Sequence, residues 1–194
     1  MEGYRFDSDN HLHLVDGKPV VSVTSAMRGL LFDPTKYREG AADRGTRVHD
    51  GLELWDLYGE ETSDLEVLPY LAAWRRFRDE KGFKPEQVEY ACCSRKFGYA
   101  GVIDRIGSTL EFPRILLDIK SGGKEPWHRI QTAAYAAMLA TPLELERWGV
   151  YVRDNGTYEI EIHPRIEWHS DFSIFLSCLS IHNWKERNGN RYYW

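Results

Sequence analysis

The first clear alternation of apolar and polar positions runs through HLHLVDGKPVVSVT, residues 11–24, and is interrupted at Asp16-Gly17. A period of two puts side chains on opposite faces of a strand, and an Asp-Gly pair suits a tight reversal, so a β-hairpin is predicted. TSAMRGLL (24–31) reads as a short helix. Asp33-Pro34 opens a longer one, because aspartate caps and proline fits a first turn. That helix is expected to reach Tyr58 with a break near Gly40. Residues 63–82 form the next helical pattern, capped by Ser63 or Asp64 and stopped by Gly82. Strand-like segments at about 86–95, 98–107 and 114–120 are spaced as an antiparallel meander. PWHRIQTAAYAAMLA follows as a helix from Pro126 towards Pro142. RWGVYVRDNGTYEIEIH reads as two strands joined at Asp154-Asn155-Gly156, and residues 167–188 as an amphipathic helix. This order predicts an α+β domain with one mixed sheet.

One strand breaks the pattern expected of buried strands. In LLDIKSG (116–122), Leu117 and Ile119 point one way, while Asp118 and Lys120 share the opposite face. Upstream, GYAGVIDRIG carries Asp104, and Gly98 and Gly101 leave room for a close approach. If the two strands pair, Asp104 and Asp118 meet, and Glu89 on the preceding strand is placed to join them. Carboxylates forced together resist ionising without a cation, and hard divalent ions take such oxygen ligands. A lysine beside them can orient or deprotonate water, or stabilise developing negative charge. A plain structural Asp–Lys pair remains the alternative for these two residues alone.

Two helices offer further groups. Ala41, Val48, Leu52 and Trp55 make an apolar stripe, with His49 and Glu53 four apart on its flank and Gly45 on the same side. A partly buried histidine bonded to Glu53 is the structural alternative. In the later helix Ile130, Ala134 and Ala137 form the stripe, and Gln131 and Tyr135 sit on its flank.

Composition narrows the class. The 194 residues suit one domain, expected to divide into an N-terminal hairpin and short helix (1–32), a core (33–165) and a C-terminal helix and tail (166–194). The net charge of −5 counts mildly against a protein that coats nucleic acid, and not against an enzyme whose carboxylates hold metal. No apolar run is long enough to cross a bilayer, so no membrane is expected, and a cytoplasmic setting is the default expectation. The three cysteines lack CxxC spacing, which leaves a zinc or iron–sulfur site short of ligands and favours buried free thiols. No GxxxxGK[ST] loop occurs.

GTRVHDGLE, GYAGVID, LLDIKSG and QTAAY occur in this order. The pattern resembles the RecB-like branch of the PD-(D/E)XK nuclease superfamily over about residues 40–140: a helical histidine, a GxxD strand, a D/E-x-K strand and a QxxxY helix. GKPVVSVTSAM resembles the lead-in of small stand-alone exonucleases of phages and mitochondria. The resemblance implies a restriction-endonuclease-like αβββαβ core and a catalytic metal, Mg²⁺ or Mn²⁺. It implies that His49, Asp104, Asp118 and the carbonyl of Ile119 are its ligands, that Lys120 is catalytic, and that Glu89 is a further acidic site residue with Glu53 in support. It implies that Gln131 and Tyr135 contact DNA, with Ser121 in the turn after the lysine. Among residues near the motifs, Arg44, Arg47, Arg105, Lys124 and Arg129 are candidates for phosphate contacts, and Trp127 and His128 for stacking on bases. The expected function is a metal-dependent DNA exonuclease on single strands or ends, serving replication, recombination or repair beside a partner protein of those processes. An endonuclease or nickase of the same fold, a non-catalytic DNA-binding subunit, and a hydrolase of small phosphoesters are the alternatives.

Overall fold

The computed structural model describes residues 3–8 and 10–189. Its chain starts with a strand the sequence pattern does not announce, β1 (Tyr4–Asp7), which pairs antiparallel with β2 (Leu12–Val15). Four residues hold too few periods to register as a strand. The expected turn at Asp16 and Gly17, with φ of 51° and 76°, leads into β3 (Lys18–Ser22). The short helix α1 (Val23–Met27) starts from Ser22, whose hydroxyl accepts a bond from the Ser25 amide.

Asp33 caps only a single 3₁₀ turn at Pro34–Lys36, and its carboxylate accepts from the Thr35 amide. Gly40, at φ 75°, reverses the chain, and α2 (Ala41–Tyr58) begins there. The break near Gly40 is therefore complete, and the long helix starts seven residues later than its proline suggested. The helix α3 (Leu68–Lys81) begins at Val67 with a proline in its first turn, not at Ser63 or Asp64, and stops at left-handed Gly82.

Strands β4 (Lys84–Ser94), β5 (Tyr99–Ser108) and β6 (Ile115–Lys120) form the antiparallel meander. The helix α4 (His128–Ala136) crosses over to β7 (Glu146–Val152), which runs parallel to β6 and is joined antiparallel to β8 (Tyr158–His163). Beyond Ala136, the Met138 and Leu139 amides bond three residues back and tighten the turn, so α4 ends before Pro142. The C-terminal helix is α5 (Trp168–Asn188).

The sheet is mixed, with helices on both faces, as the α+β reading and the restriction-endonuclease-like arrangement require. On one face, Val48 and Leu52 of α2 and Leu71, Trp74 and Phe77 of α3 bury against Leu117, Ile119, Trp148 and Val150. On the other, Met27, Ala133, Ala134 and Phe175 from α1, α4 and α5 bury against Ile103, Ile106 and Leu116. Each large apolar side chain buried this way contributes about 1.5–3 kcal/mol. Because α4 lies between sheet and α5, its supposed flank residues Gln131 and Tyr135 are buried as well. Cys92, Cys93 and Cys178 are buried thiols outside any disulfide. No helix among the described residues is long and apolar enough to cross a membrane.

One detail of the sheet positions everything below. On the side of β5 away from β4, β3 pairs with Tyr99 and Ala100, whereas β6 pairs only with Arg105, Ile106 and Gly107. The sheet therefore forks beside residues 101–104, and β6 leaves β5 just where Asp118 begins.

Candidate active site

At the fork a side chain replaces the missing ladder bond. The Ile119 amide donates to Asp104 Oδ2 at 2.5 Å. Asp118 stands next to it, 1% exposed. Helix α2 lies over the same opening. His49 Nε2 donates to the Ile119 carbonyl at 3.1 Å, since a carbonyl only accepts. That leaves Nδ1 facing Asp104 Oδ1 at 3.7 Å and Glu89 Oε1 at 3.9 Å. The Ile119 carbonyl, expected as a metal ligand, thus has the imidazole as its immediate partner and orients it, as partners behind metal ligands do. Glu53 faces Glu89, which together with burial raises its pKa; no hydrogen bond joins it to His49.

Glu89 sits opposite Asp104 in the β4–β5 ladder, between the pairs Val88↔Arg105 and Tyr90↔Ile103. Its φ of 46° is left-handed, which costs a side-chain-bearing residue about 1–3 kcal/mol and persists only when the surroundings impose it. Arg105 imposes it. Arg105 Nη1 holds Glu89 Oε1 at 2.8 Å, and its Nε meets Asp56 Oδ2 at 2.7 Å. Asp56, wholly buried, also accepts from Arg78 at 2.5 Å and from Trp74 Nε1 at 3.0 Å. Arg105 was a candidate phosphate contact; it is fully buried and built into the scaffold instead. Asp56 went unnoticed in the sequence. Its signal was a carboxylate four residues after Leu52, on the buried stripe of α2.

Lys120 closes the other side. Its Nζ is 2.7 Å from Asp118 Oδ2 and 3.0 Å from Gln131 Oε1. Gln131 Nε2 in turn donates to the Tyr135 hydroxyl at 3.0 Å. Gln131 and Tyr135 therefore reach the site by fixing the lysine. Gly101 makes this possible, since a Cβ there would lie 2.7 Å from the Tyr135 ring. The close approach that Gly101 allows is to this tyrosine.

The charges are strained. Burial and the neighbouring Asp104 push the Asp118 carboxyl up to about 6, even with Lys120 beside it. Burial and Glu89 raise Asp104 in the same direction. Burial disfavours the His49 cation, but Asp104 and Glu89 outweigh it and lift its pKa to about 9. One ligand atom each from His49, Glu89 and Asp104 lie within 4.8 Å of one another. Asp118 Oδ2, though beside Lys120, is buried and accepts no well-directed hydrogen bond. A nitrogen and two carboxylate oxygens gathered this closely fit a hard or borderline divalent cation.

Of the other candidates, Arg44, Ser121 and Trp127 line one cavity of about 390 Å³ together with Lys120. Gly45 is close by, but a Cβ there would lie 4.0 Å from Ser121 Oγ, in ordinary contact, so this packing does not require a glycine. The remaining basic residues are engaged elsewhere. Arg47 binds Asp43, Asp64 and Glu66. Lys124 pairs with Glu159, and Arg129 with Glu167 and Asp171. His128 is buried and bonds the Tyr151 hydroxyl at 2.9 Å, so it is not available to stack on a base.

Comparison with known proteins adds little to this geometry. No family model matches the sequence, and no curated protein does. The solved alkaline exonuclease LHK-Exo from Laribacter hongkongensis is 15% identical over 89% of this chain and 94% of that one, with a TM-score of 0.34. LHK-Exo in complex with dAMP is 14% identical over the same shares, with a TM-score of 0.31. Likeness at this level leaves the function of this chain to its own residues.

Proposed function

We propose that the protein is a metal-dependent deoxyribonuclease of the PD-(D/E)XK type that degrades single-stranded DNA from an end. The observation that carries this reading is the grouping of His49, Glu89 and Asp104 at the β5–β6 fork, with the Asp118–Lys120 pair beside them. His49, Glu89, Asp104 and Asp118 would hold Mg²⁺ or Mn²⁺, which when bound neutralises the carboxylates and acidifies water for attack on a phosphodiester. Lys120, held between Asp118 and Gln131, is placed to orient that water or to stabilise charge on the phosphate. His49 must surrender the proton that its raised pKa favours before its Nδ1 can act as a ligand. A purely structural ion pair does not account for carboxylates buried together at raised pKa values.

The preference for a free strand follows from the basic surface. Of Arg44, Arg47, Lys124 and Arg129, only Arg44 has no carboxylate partner. Bending a duplex costs several kcal/mol and needs a large basic surface to repay it. A flexible strand asks for less. Replication, recombination or repair is the setting such an activity serves, alongside a protein partner in those processes. The test is digestion of end-labelled linear strands and closed single-stranded circles in Mg²⁺ or Mn²⁺. Linear strands are expected to shorten while circles survive. Circles lost as fast as linear strands would put an endonuclease in first place, and neither being cut would remove the nuclease reading.

A further inference from the structure

We infer that Tyr37, Phe32 and Trp127 form a stacking subsite for one unpaired nucleobase, at a cavity that Lys120 also lines. The inference rests on the nuclease reading for its setting and on separate residues for its substance. The Trp127 and Phe32 rings lie 4.4 Å apart at 20°, and Phe32 and Tyr37 lie 6.4 Å apart at 20°. Three rings from two distant segments thus share one orientation. Lys120 Nζ stands 5.6 Å from the Trp127 ring centre. The ladder therefore begins at the candidate catalytic lysine and ends at Tyr37.

That end is open. Tyr37 is 42% exposed, so part of its ring is open to a ligand. Tyr37 and Trp127 both line the cavity of about 390 Å³ that also contains Arg44, Lys120 and Ser121. Its size lies within the roughly 300–1,000 Å³ of small-ligand sites. Its remaining wall includes Ala41 and Ala42, whose short side chains leave the space free. Its lining combines the Tyr37 and Trp127 rings with Lys120 and with the Arg44 guanidinium, which has no carboxylate partner; Glu125 lines it too, so positive charge outnumbers negative. Arg44 and Lys120 line the same cavity and offer positive charge to the phosphate of a base held there. The segment that carries Tyr37 is fixed for this purpose by the Asp33-capped turn and by Gly40.

The experiment compares a fluorescein-labelled twelve-residue thymidine strand with a strand of equal length in which the bases are replaced by abasic sites. Binding is read by anisotropy in Ca²⁺, with strand integrity checked on a gel. The expected result is that the native protein prefers the strand with bases, and that Tyr37→Ala weakens its binding by roughly five- to a hundredfold. Tyr37→Ala should leave the abasic strand unchanged, and Tyr37→Trp should keep the preference. Thermal melts confirm that each variant is folded, which the exposure of Tyr37 makes straightforward. Equal binding of both strands by the native protein, an unaltered preference in Tyr37→Ala, or no binding of either strand would overturn the inference. A base preference without any cleavage in Mg²⁺ or Mn²⁺ would uphold the subsite and remove the nuclease reading, so the two failures are distinct.

Discussion

Asp104 Oδ2 accepts the Ile119 amide at 2.5 Å, so a carboxylate of one strand holds the backbone of the next at the residue between Asp118 and Lys120. The bond does two things. It satisfies an amide left over where β6 parts from β5, and it fixes the spacing of both aspartates across the fork. The site is therefore part of the sheet, and changes to its residues should separate chemistry from folding in predictable ways.

Replacing Asp118 by asparagine should lower cleavage by roughly two orders of magnitude or more, because a ligand on a rigid strand is lost. Its melting temperature should be equal to or above that of the native protein. Burial already disfavours the Asp118 charge, whose pKa stands at about 6. Lys120→Ala should also lose turnover while Mn²⁺ titrations by calorimetry remain unchanged. Full activity in folded Asp118→Asn would show that the site has been assigned wrongly.

His49→Ala should depend on metal concentration. Its Nδ1 faces Glu89 and Asp104, and its Nε2 is held by Ile119. Activity should fall about tenfold or more at micromolar Mn²⁺ and recover in part at millimolar Mn²⁺. A defect of constant size across the titration would mark a structural histidine.

Asp56→Ala should cost about 3–5 kcal/mol, because it leaves the buried Arg105 guanidinium short of its carboxylate partner. The milder Asp56→Asn keeps hydrogen bonds but slackens Arg105, and with it Glu89. Calorimetric Mn²⁺ affinity should drop in Asp56→Asn even where the variant remains folded. An unchanged affinity would limit Asp56 to stability alone.

Gly101→Ala would place a Cβ 2.7 Å from the Tyr135 ring, an overpacking expected to cost about 1–3 kcal/mol. Displaced Tyr135 releases Gln131, and Gln131 releases Lys120. Turnover should fall while metal affinity is kept. In a Tyr135→Ala background the same substitution should cost much less stability, and equal costs in both backgrounds would exclude this coupling.

Acid should destabilise the metal-free protein through His163. Burial, with Arg147 and Arg129 nearby, lowers its pKa to about 3, against an ordinary 6.5. A folded value below the unfolded one means that protons bind the unfolded chain first. This contribution is complete above pH 6.5 and is lost as pH falls towards 3. His163→Gln, which cannot titrate, should be less stable than the native protein at pH 7.5, with the gap narrowing by pH 4. Melting curves in EDTA measure it, and a gap that is constant with pH would contradict the assignment.

The sequence by itself determined the element order and the identity of the strands and helices that bring His49, Asp104, Asp118 and Lys120 together. Those features follow from local periodicity and turn chemistry: Asp16-Gly17, Gly40 and Gly82 each set the backbone where they stand. Asp118 and Lys120 were legible because strand alternation alone puts them on one face. The tertiary structure decided which charges are free and which are scaffold. Arg105 and Arg44 look alike in the sequence, yet one is buried between Asp56 and Glu89 and the other lines the cavity. The partners of Arg105 lie 16 and 49 residues away, and pairing across such distances depends on packing that no local pattern encodes. The same holds for the left-handed Glu89 and for the fork, which exists only because β3 and β6 share one edge of β5.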